Sequence, residues 1–254
     1  MRIERHGWPV RAFLQELGNG RMRPEEEMLR QALLARNVPV TLYTTKRLQR
    51  SQLPLGPDCF LAGDGDCVIA ALRQLGCKSP LPLDYPEALC HFLRRPVWQS
   101  TLGKFIQDLE CSKPLFVKPA ARAKRFSGRL FEGPADLYFL YGTSLREPVW
   151  CSTPVNWVSE WRAYVLGDRV LALCHYSGAD NTKPDPKTIE AMIVAYRTSG
   201  TAPAGFAMDV GVLDDGHTAL VEINDALALG AYGVAAEDYT ALLLARWREL
   251  VQPR

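Results

Sequence analysis

The sequence has little of what marks a membrane, secreted or nucleic-acid-binding protein. Its 254 residues carry a formal net charge of only +2, so no excess of positive charge favours a nucleic-acid or membrane surface. No apolar run approaches the roughly 20 residues that cross a bilayer. Residues 1–6 also lack the apolar core of a signal peptide. We therefore expect no nucleic-acid partner and no membrane partner.

Cysteine is present, but its spacing is not that of a metal or disulfide site. The seven cysteines are odd in number, scattered, and never spaced as Cys-x-x-Cys. This argues against a zinc site and against a disulfide framework, and it predicts a reducing, cytoplasmic location. The motifs Gly-x-Ser-x-Gly, Walker A and Gly-x-Gly-x-x-Gly are also absent from the sequence. Serine hydrolase, P-loop and Rossmann interpretations therefore lose their main support.

The order of helical and strand patterns predicts two fold types in one chain. In the first part, helical and strand patterns alternate, beginning with a helix over 24–37 and a strand over 38–43. Such alternation predicts an α/β domain with a small, mostly parallel sheet that ends near residues 90–100. The second part reads as antiparallel hairpins with a few helices, including a final helix over 236–251, which is an α+β pattern.

The most informative segment is a predicted hairpin over residues 208–225. Two apolar runs flank Asp214-Asp215-Gly216, which is a strong hairpin turn signal. Glu222 and Asn224 are two residues apart and project from one face, and pairing across the turn brings Asp209 to that face. Three oxygen-bearing side chains on one face suit Mg²⁺, particularly when nucleotide phosphates also hold it. The alternative is a solvated hairpin, because acidic residues are common beside turns.

Three further segments carry charged residues that are candidates for a functional site. Lys118 ends an apolar strand, where it either reaches solvent or enters a cleft. The basic loop over 122–129 is either a solvated loop or a flexible phosphate clamp, because its serine and glycine allow backbone N–H groups to face an anion. Glu160 and Arg162 alternate on one face of a strand, which is often only a cross-strand ion pair.

Taken in order, these features resemble the ATP-grasp superfamily over roughly residues 98–235. The family pattern has a Val-Lys-Pro strand, a flexible glycine-containing loop, a hinge strand, an acidic strand, and a closing pair of metal-binding strands. Here these are Phe116-Val117-Lys118-Pro119, Lys124 to Arg129, Val149 to Ser152, Glu160 with its strand, Asp209, and Glu222-Ile223-Asn224. Three phrases resemble the clade named for one arginine and two lysines: Asp84-Tyr85-Pro86-Glu87, Arg95-Pro96-Val97-Trp98 and Ser159-Glu160-Trp161-Arg162.

The resemblance implies a nucleotide site and a metal site. Lys118 matches the strand lysine that contacts ATP phosphate, and Lys104 is the candidate for an earlier phosphate lysine, with Lys113 competing. The remaining nucleotide-site candidates are Lys124 in the basic loop, Trp150, Cys151 and Ser152 in the hinge, and Glu160 at the ribose. The implied Mg²⁺ ligands are Asp209, Glu222 and Asn224.

The sequence departs from the family pattern at two places. Many members carry a hinge glutamate where this chain has Cys151 and Ser152. Ligases of the D-alanine type place an arginine two residues before the metal aspartate, and that position is Ala207 here. The oxyanion donor must therefore come from elsewhere, and the candidate catalytic residues are Arg162, Lys183 and Arg129.

The implied protein has an α/β N-terminal, pre-ATP-grasp-like domain over residues 1–97 and an α+β ATP-grasp domain over 98–254. The implied reaction is an ATP-dependent carboxylate–amine ligation through an acyl phosphate, with Mg²⁺ or Mn²⁺ as the cation. Small-molecule or peptide carboxylates and amines are the expected substrates, and the resemblance also allows a homodimer. Two alternatives stay open: an ATP-grasp phosphotransferase, and a non-catalytic ATP-binding regulatory module.

Overall fold

The computed structural model describes residues 8–109, 113–120 and 126–252. The strands are β1 (Arg11–Gln15), β2 (Val40–Tyr43), β3 (Cys59–Ala62), β4 (Val97–Thr101), β5 (Leu115–Pro119), β6 (Arg129–Phe131), β7 (Pro148–Ser152), β8 (Trp157–Leu166), β9 (Arg169–Gly178), β10 (Gly205–Leu213) and β11 (Thr218–Asp225). The α-helices are α1 (Pro24–Leu34), α2 (Thr45–Gln49), α3 (Gly65–Gln74), α4 (Leu102–Leu109), α5 (Pro186–Thr198) and α6 (Ala236–Val251). Two 3₁₀ helices span Glu87–Phe92 and Pro134–Leu140.

The first sheet is small and parallel, as the alternating pattern predicts. Its strand order is β2-β1-β3, and both neighbours of β1 run parallel to it. Helix α1 ends at Leu34, three residues earlier than expected. The chain leaves the helix through Asn37, whose φ of 58° lies in the left-handed region that ends many helices.

The second sheet is antiparallel, has the order β11-β10-β8-β9, and is referred to here as the large sheet. The expected hairpin joins β10 to β11, with Gly216 at a φ of 82° in the turn. Helix α5 packs on one face of this sheet through apolar side chains that include Met192 and Tyr196. On the opposite face, Tyr164 and Ala207 join a core that also contains α6 and the parallel sheet.

The third sheet is also antiparallel, has the order β4-β7-β5-β6, and is referred to here as the small antiparallel sheet. Val117 and Phe131 pack on its outer face with α4, which contributes Phe105 and Leu109. Because strand side chains alternate between faces, Phe116 and Lys118 point to the inner face. That inner face and the edge of the large sheet form a cleft.

The segment that joins the first and third sheets packs on the large sheet. Tyr85, Leu89 and Leu93 lie in the same core as Trp161 and Ile223. The predicted domain boundary between residues 97 and 98 stays a prediction. Within the described ranges, no helix combines the length and the apolar character that a membrane crossing requires.

The N-cap residue of α3, Asp64, gives a prediction about the stability of the fold. Asp64 accepts hydrogen bonds from the Cys67 N–H (2.8 Å) and from the Gln15 amide (2.6 Å). We expect Asp64→Ala to lower the free energy of unfolding by about 1–2 kcal/mol, because it removes the N-cap and one of the hydrogen bonds of the Gln15 amide. Urea unfolding at neutral pH checks this, with Asp66→Ala, an exposed first-turn substitution in the same helix, as the control.

The pH dependence of that effect has a defined sign. Burial favours the neutral form of Asp64, but the hydrogen bonds from Gln15 and Cys67 outweigh it and lower the pKa of the carboxyl. A lowered pKa in the folded state stabilises the fold above the unfolded pKa and is lost as the pH falls through the folded value. The difference between wild type and Asp64→Ala should therefore shrink in acid, and a constant difference would contradict the assignment.

Candidate functional site

The cleft between the small antiparallel sheet and the large sheet contains a cavity of about 250 Å³. Its walls combine apolar side chains with a few charged groups, which is typical of small-molecule sites. The lining residues are Tyr85, Arg95, Phe116, Leu130, Ser152, Thr153, Pro154, Val155, Trp157, Glu160, Val221 and Glu222.

Lys118 lies beside this cavity, between two carboxylates. Its Nζ lies 2.6 Å from Asp84 Oδ1 and 2.6 Å from Glu222 Oε2, and its side chain is only 12% exposed. Burial opposes the charge of Lys118, but Glu222 and Asp84 outweigh it and hold the pKa of the ammonium above its ordinary value. Burial likewise opposes the charge of Glu222, yet Lys118 holds the pKa of that carboxyl below its ordinary value. Both groups are therefore charged at neutral pH.

Arg162 and Asp209 form a buried ion pair next to Glu222. Arg162 Nε and Nη2 each donate a 2.7 Å hydrogen bond to a different oxygen of Asp209. The register explains the contact, since Asp209 lies opposite Arg162 on β8 and opposite Glu222 on β11. The Asn224 amide donates to Asp209 Oδ2 (3.0 Å) and to Glu222 Oε1 (3.1 Å). The fold thus brings Asp209, Glu222 and Asn224 together on one face.

The donor set fits a hard cation only in part. Two carboxylates and one amide supply the oxygen atoms that Mg²⁺ prefers, and phosphate oxygens usually complete such a site. Among the described residues, no group of three or more His, Cys, Asp or Glu side chains is arranged to hold a metal. Asp209, Glu222 and Asn224 therefore fit a cation that arrives with a phosphorylated ligand, rather than a metal held by protein alone.

Glu160 and the predicted hinge strand line the same cleft. Glu160 faces the cavity, and its Oε2 accepts a 3.1 Å hydrogen bond from the Tyr176 hydroxyl. Trp150 faces the cleft and donates from Nε1 to Asp84 Oδ2 at 3.1 Å, and Ser152 lines the cavity. Cys151 points to the opposite side, where it is buried with the outer core. Its thiol is therefore turned away from the cavity by the strand alternation.

Two predicted basic residues lie on the outer side of the small antiparallel sheet. Arg129 pairs with Val117 in the sheet register, so it shares the outer face with Val117 and stacks on Phe139. Lys104 lies on α4, which covers that outer face, and it pairs with Asp108 at 3.2 Å in solvent. Neither side chain joins Lys118 in the cleft.

Two other predicted basic residues, Lys183 and Lys113, lie in loops. Lys183 is exposed in the loop before α5, next to Thr182, whose carbonyl accepts from Trp161 Nε1 at 3.0 Å. Trp161 lies on the face of β8 opposite to Arg162. The loop that carries Lys183 therefore contacts the face of the large sheet that points away from the cleft. Lys113, the competitor of Lys104, is exposed before β5. Lys124 lies outside the described residues.

The sequence patterns assigned no role to several residues of the cleft. The two-residue period of strands could have identified Phe116, because it lies two residues before Lys118 on the same strand. Arg95 stands in a phrase that resembles the clade, but no local pattern predicts its contacts, because its guanidinium is held by the carbonyls of Leu220 (2.7 Å) and Val221 (3.0 Å), 125 and 126 residues away. Asp84 likewise belongs to the site only through contacts that are distant in sequence.

A second cavity lies at the carboxyl ends of β1 and β3. Its volume is about 370 Å³, and Gly230 of the loop after β11 forms part of its wall. The same loop reaches the first site, because Tyr232 stacks on the guanidinium of Arg162 at 5.0 Å. Ligands often bind at the carboxyl ends of parallel strands. Here the loop after β11 connects these strand ends to the Arg162–Asp209 ion pair.

Comparison with protein families identifies the C-terminal part of the chain. The family described as "ATP-grasp domain, R2K clade family 2" matches residues 92–242. That range is more than half of the chain and contains Arg95, Lys118, Arg162, Asp209 and Glu222. No curated protein matches the chain in sequence.

Solved structures share the fold at low sequence identity. An ATP-grasp RimK domain protein from Sphaerobacter thermophilus is 17% identical with a TM-score of 0.57, covering 92% of this chain and 98% of its own. D-alanine–D-alanine ligase from Bacillus anthracis is 14% identical with a TM-score of 0.54, covering 92% and 95%. The same ligase complexed with ATP is 13% identical with a TM-score of 0.54, covering 94% and 97%. At these identities the likeness establishes the fold alone.

Proposed function

The chain belongs to family 2 of the R2K clade of ATP-grasp domains, and on that premise we propose that it is an ATP- and Mg²⁺-dependent carboxylate–amine ligase. It would form an amide or peptide bond through an acyl phosphate and release ADP and phosphate. The observation that carries the proposal is the cluster of Lys118, Glu222, Asn224, Asp209 and Arg162 at the edge of the cavity. Both reactants are anionic, so such a reaction needs cations held at this place.

In this proposal the adenine and ribose occupy the cavity between the sheets. Phe116 and Leu130 supply apolar surface for a flat base. The chain from Ser152 to Val155 supplies backbone polar groups at the edge of the cavity. Glu160, as the acid on the cavity wall, would accept hydrogen bonds from the ribose hydroxyls.

The phosphates would then lie at the polar end of the cleft. Lys118 would donate to a phosphate oxygen, since its ammonium has three donors and two carboxylate partners in the structure. Glu222, Asn224 and Asp209 would hold Mg²⁺, which when bound screens the charge of the phosphates and of the attacking carboxylate. Phe116 on β5 and Leu130 on β6 line the cavity. The basic segment over 122–129, for which the sequence predicts a flexible phosphate clamp, lies in part outside the described residues.

Arg162 is the strongest of the three catalytic candidates for this reaction. Its Nε and Nη2 are held by Asp209, which leaves Nη1 to face an anion such as the acyl phosphate. The small-molecule or peptide substrates would approach from the loop that carries Tyr232, because that loop connects Arg162 to the second cavity.

Calorimetry with a non-hydrolysable ATP analogue, with and without Mg²⁺, tests the nucleotide site. Binding that requires Mg²⁺ is the expected result, and no binding at millimolar nucleotide would overturn the proposal. A panel of amino acids and short peptides is then tested for release of ADP and phosphate. ADP without free phosphate would indicate a phosphotransferase, and binding without turnover on any substrate would indicate a non-catalytic module.

A glycine beneath the cavity wall gives a second test of the proposed nucleotide position. A Cβ added at Gly211 would collide with the indole of Trp157, a lining residue of the cavity. We expect Gly211→Ala to push this ring into the cavity, at a strain of about 1–3 kcal/mol, and to weaken nucleotide binding by roughly 10- to 100-fold. Calorimetry measures the affinity, and Gly56→Ala, which meets no atom within 4 Å, is the control. Unchanged affinity in Gly211→Ala would place the base elsewhere.

A further inference from the structure

Asp84 joins the two sheets that form the cleft. Its Oδ1 accepts from Lys118 Nζ at 2.6 Å, and its Oδ2 accepts from Trp150 Nε1 at 3.1 Å. Both of these donors belong to the small antiparallel sheet. The Asp84 carbonyl, in contrast, accepts a 2.8 Å hydrogen bond from the N–H of Ile223, on the large sheet. One residue therefore connects Lys118 with the strand that carries Glu222.

The backbone of Asp84 is held in an unusual conformation. Its φ is 38°, in the left-handed region where glycine, asparagine and aspartate are more readily accommodated than most other residues. The side chain is 18% exposed and engages both oxygens. A residue chosen only for the turn would not need a carboxylate there. The carboxylate is therefore explained by its contact with Lys118 rather than by the turn.

Glu222 has more interaction partners in the proposed site than the Asp84 side chain has. Glu222 contacts Lys118 through Oε2 and Asn224 through Oε1, and it is one of the three proposed Mg²⁺ ligands. If Lys118 had Glu222 as its single anionic partner, the ammonium would compete with the cation for that carboxylate. Asp84 gives Lys118 a second anionic partner, and the hydrogen bond from Trp150 fixes that partner in place.

We propose that Asp84 is the positioning residue for Lys118. It holds the ammonium toward the phosphate position and keeps Lys118 paired when Glu222 turns to the cation. This inference rests on the proposed nucleotide function, although it concerns a residue outside the family-matched range. It predicts that loss of the Asp84 charge raises the Mg²⁺ concentration needed for nucleotide binding, because Lys118 then holds Glu222 more tightly.

The test compares two variants with the wild-type chain. Asp84→Asn keeps the shape, the left-handed backbone and an acceptor for Trp150, but removes the charge. Asp84→Gly removes the whole side chain and suits the positive φ, so it remains informative if the asparagine variant folds poorly. Asp225→Asn is the control, because it breaks a buried carboxylate pair with Arg246 against α6.

The measurement is calorimetry of the ATP analogue at a series of Mg²⁺ concentrations. We expect both Asp84 variants to need about 10-fold more Mg²⁺ for half-saturation, while Asp225→Asn keeps the wild-type Mg²⁺ dependence. A wild-type Mg²⁺ requirement in both Asp84 variants would overturn this inference and leave the proposed function intact. Absence of nucleotide binding by the wild-type chain would overturn the proposed function and this inference with it.

Discussion

Replacing Arg162 with methionine should lower the free energy of unfolding by about 3–5 kcal/mol, because the buried Asp209 carboxylate then loses its cationic partner and keeps only the hydrogen bond from Asn224. The side chains are only 10% and 4% exposed, so water does not replace the lost hydrogen bonds. Since a domain is stable by only about 5–15 kcal/mol, this loss is a large part of the total. Urea unfolding followed by circular dichroism measures it.

A double variant separates the contribution of the ion pair to stability from the contribution of side-chain packing. Arg162→Met combined with Asp209→Leu replaces both charges by apolar groups of similar shape, and it should recover most of the lost stability. The double variant would still lack the proposed metal ligand, so its nucleotide binding should stay low. A single Arg162→Met variant within about 1 kcal/mol of wild type would contradict the assignment of a tightly paired buried charge.

Replacing Glu222 with glutamine should abolish most Mg²⁺-dependent nucleotide binding. Glutamine keeps the shape of the side chain but removes the charge that pairs with Lys118 and, in the proposed function, with the cation. In thermal or chemical unfolding, nucleotide at about 100 times its dissociation constant should stabilise the wild type by roughly 2.7 kcal/mol. We expect the variant to lose this stabilisation, which corresponds to binding about 100-fold weaker.

The control for this experiment is a glutamate outside the cleft. Glu190 is exposed on α5, and Glu190→Gln should leave the nucleotide effect unchanged. Unfolding of each variant without nucleotide measures the part of the effect that comes from the lost pairing with Lys118. Stabilisation of Glu222→Gln equal to that of wild type would show that Glu222 is not a ligand of the nucleotide-bound cation.

Local patterns were sufficient for the β10–β11 hairpin and for the grouping of Asp209, Glu222 and Asn224 on one face. The Asp214-Asp215-Gly216 turn and the two-residue period of strands predict the β10–β11 hairpin, which the structure contains. The same period places Glu222 and Asn224 on one face, and pairing across a short turn brings Asp209 to them. The family resemblance is confirmed by the match over residues 92–242. These features depend on residues that are close in sequence or paired across one tight turn.

Local patterns did not predict the register in which β5 pairs with β6, because a longer segment separates these two strands. Arg129 follows Lys118 in the chain, yet it pairs with Val117 and so lies on the opposite face of the small antiparallel sheet. A shift of one residue would have turned it into the cleft. Nothing in the loop sequence fixes that shift, so the role proposed for Arg129 depended on a register that only the folded sheet decided.

The sequence by itself determined the charged groups, their order and the strands that carry them. Only the tertiary structure decided which of these groups meet, because such contacts depend on how separate sheets pack. Asp84 shows the difference most clearly, since its partners Lys118 and Trp150 lie 34 and 66 residues away. Its position in the cleft results from packing of the 84–93 segment on the large sheet, and no local spacing encodes that arrangement.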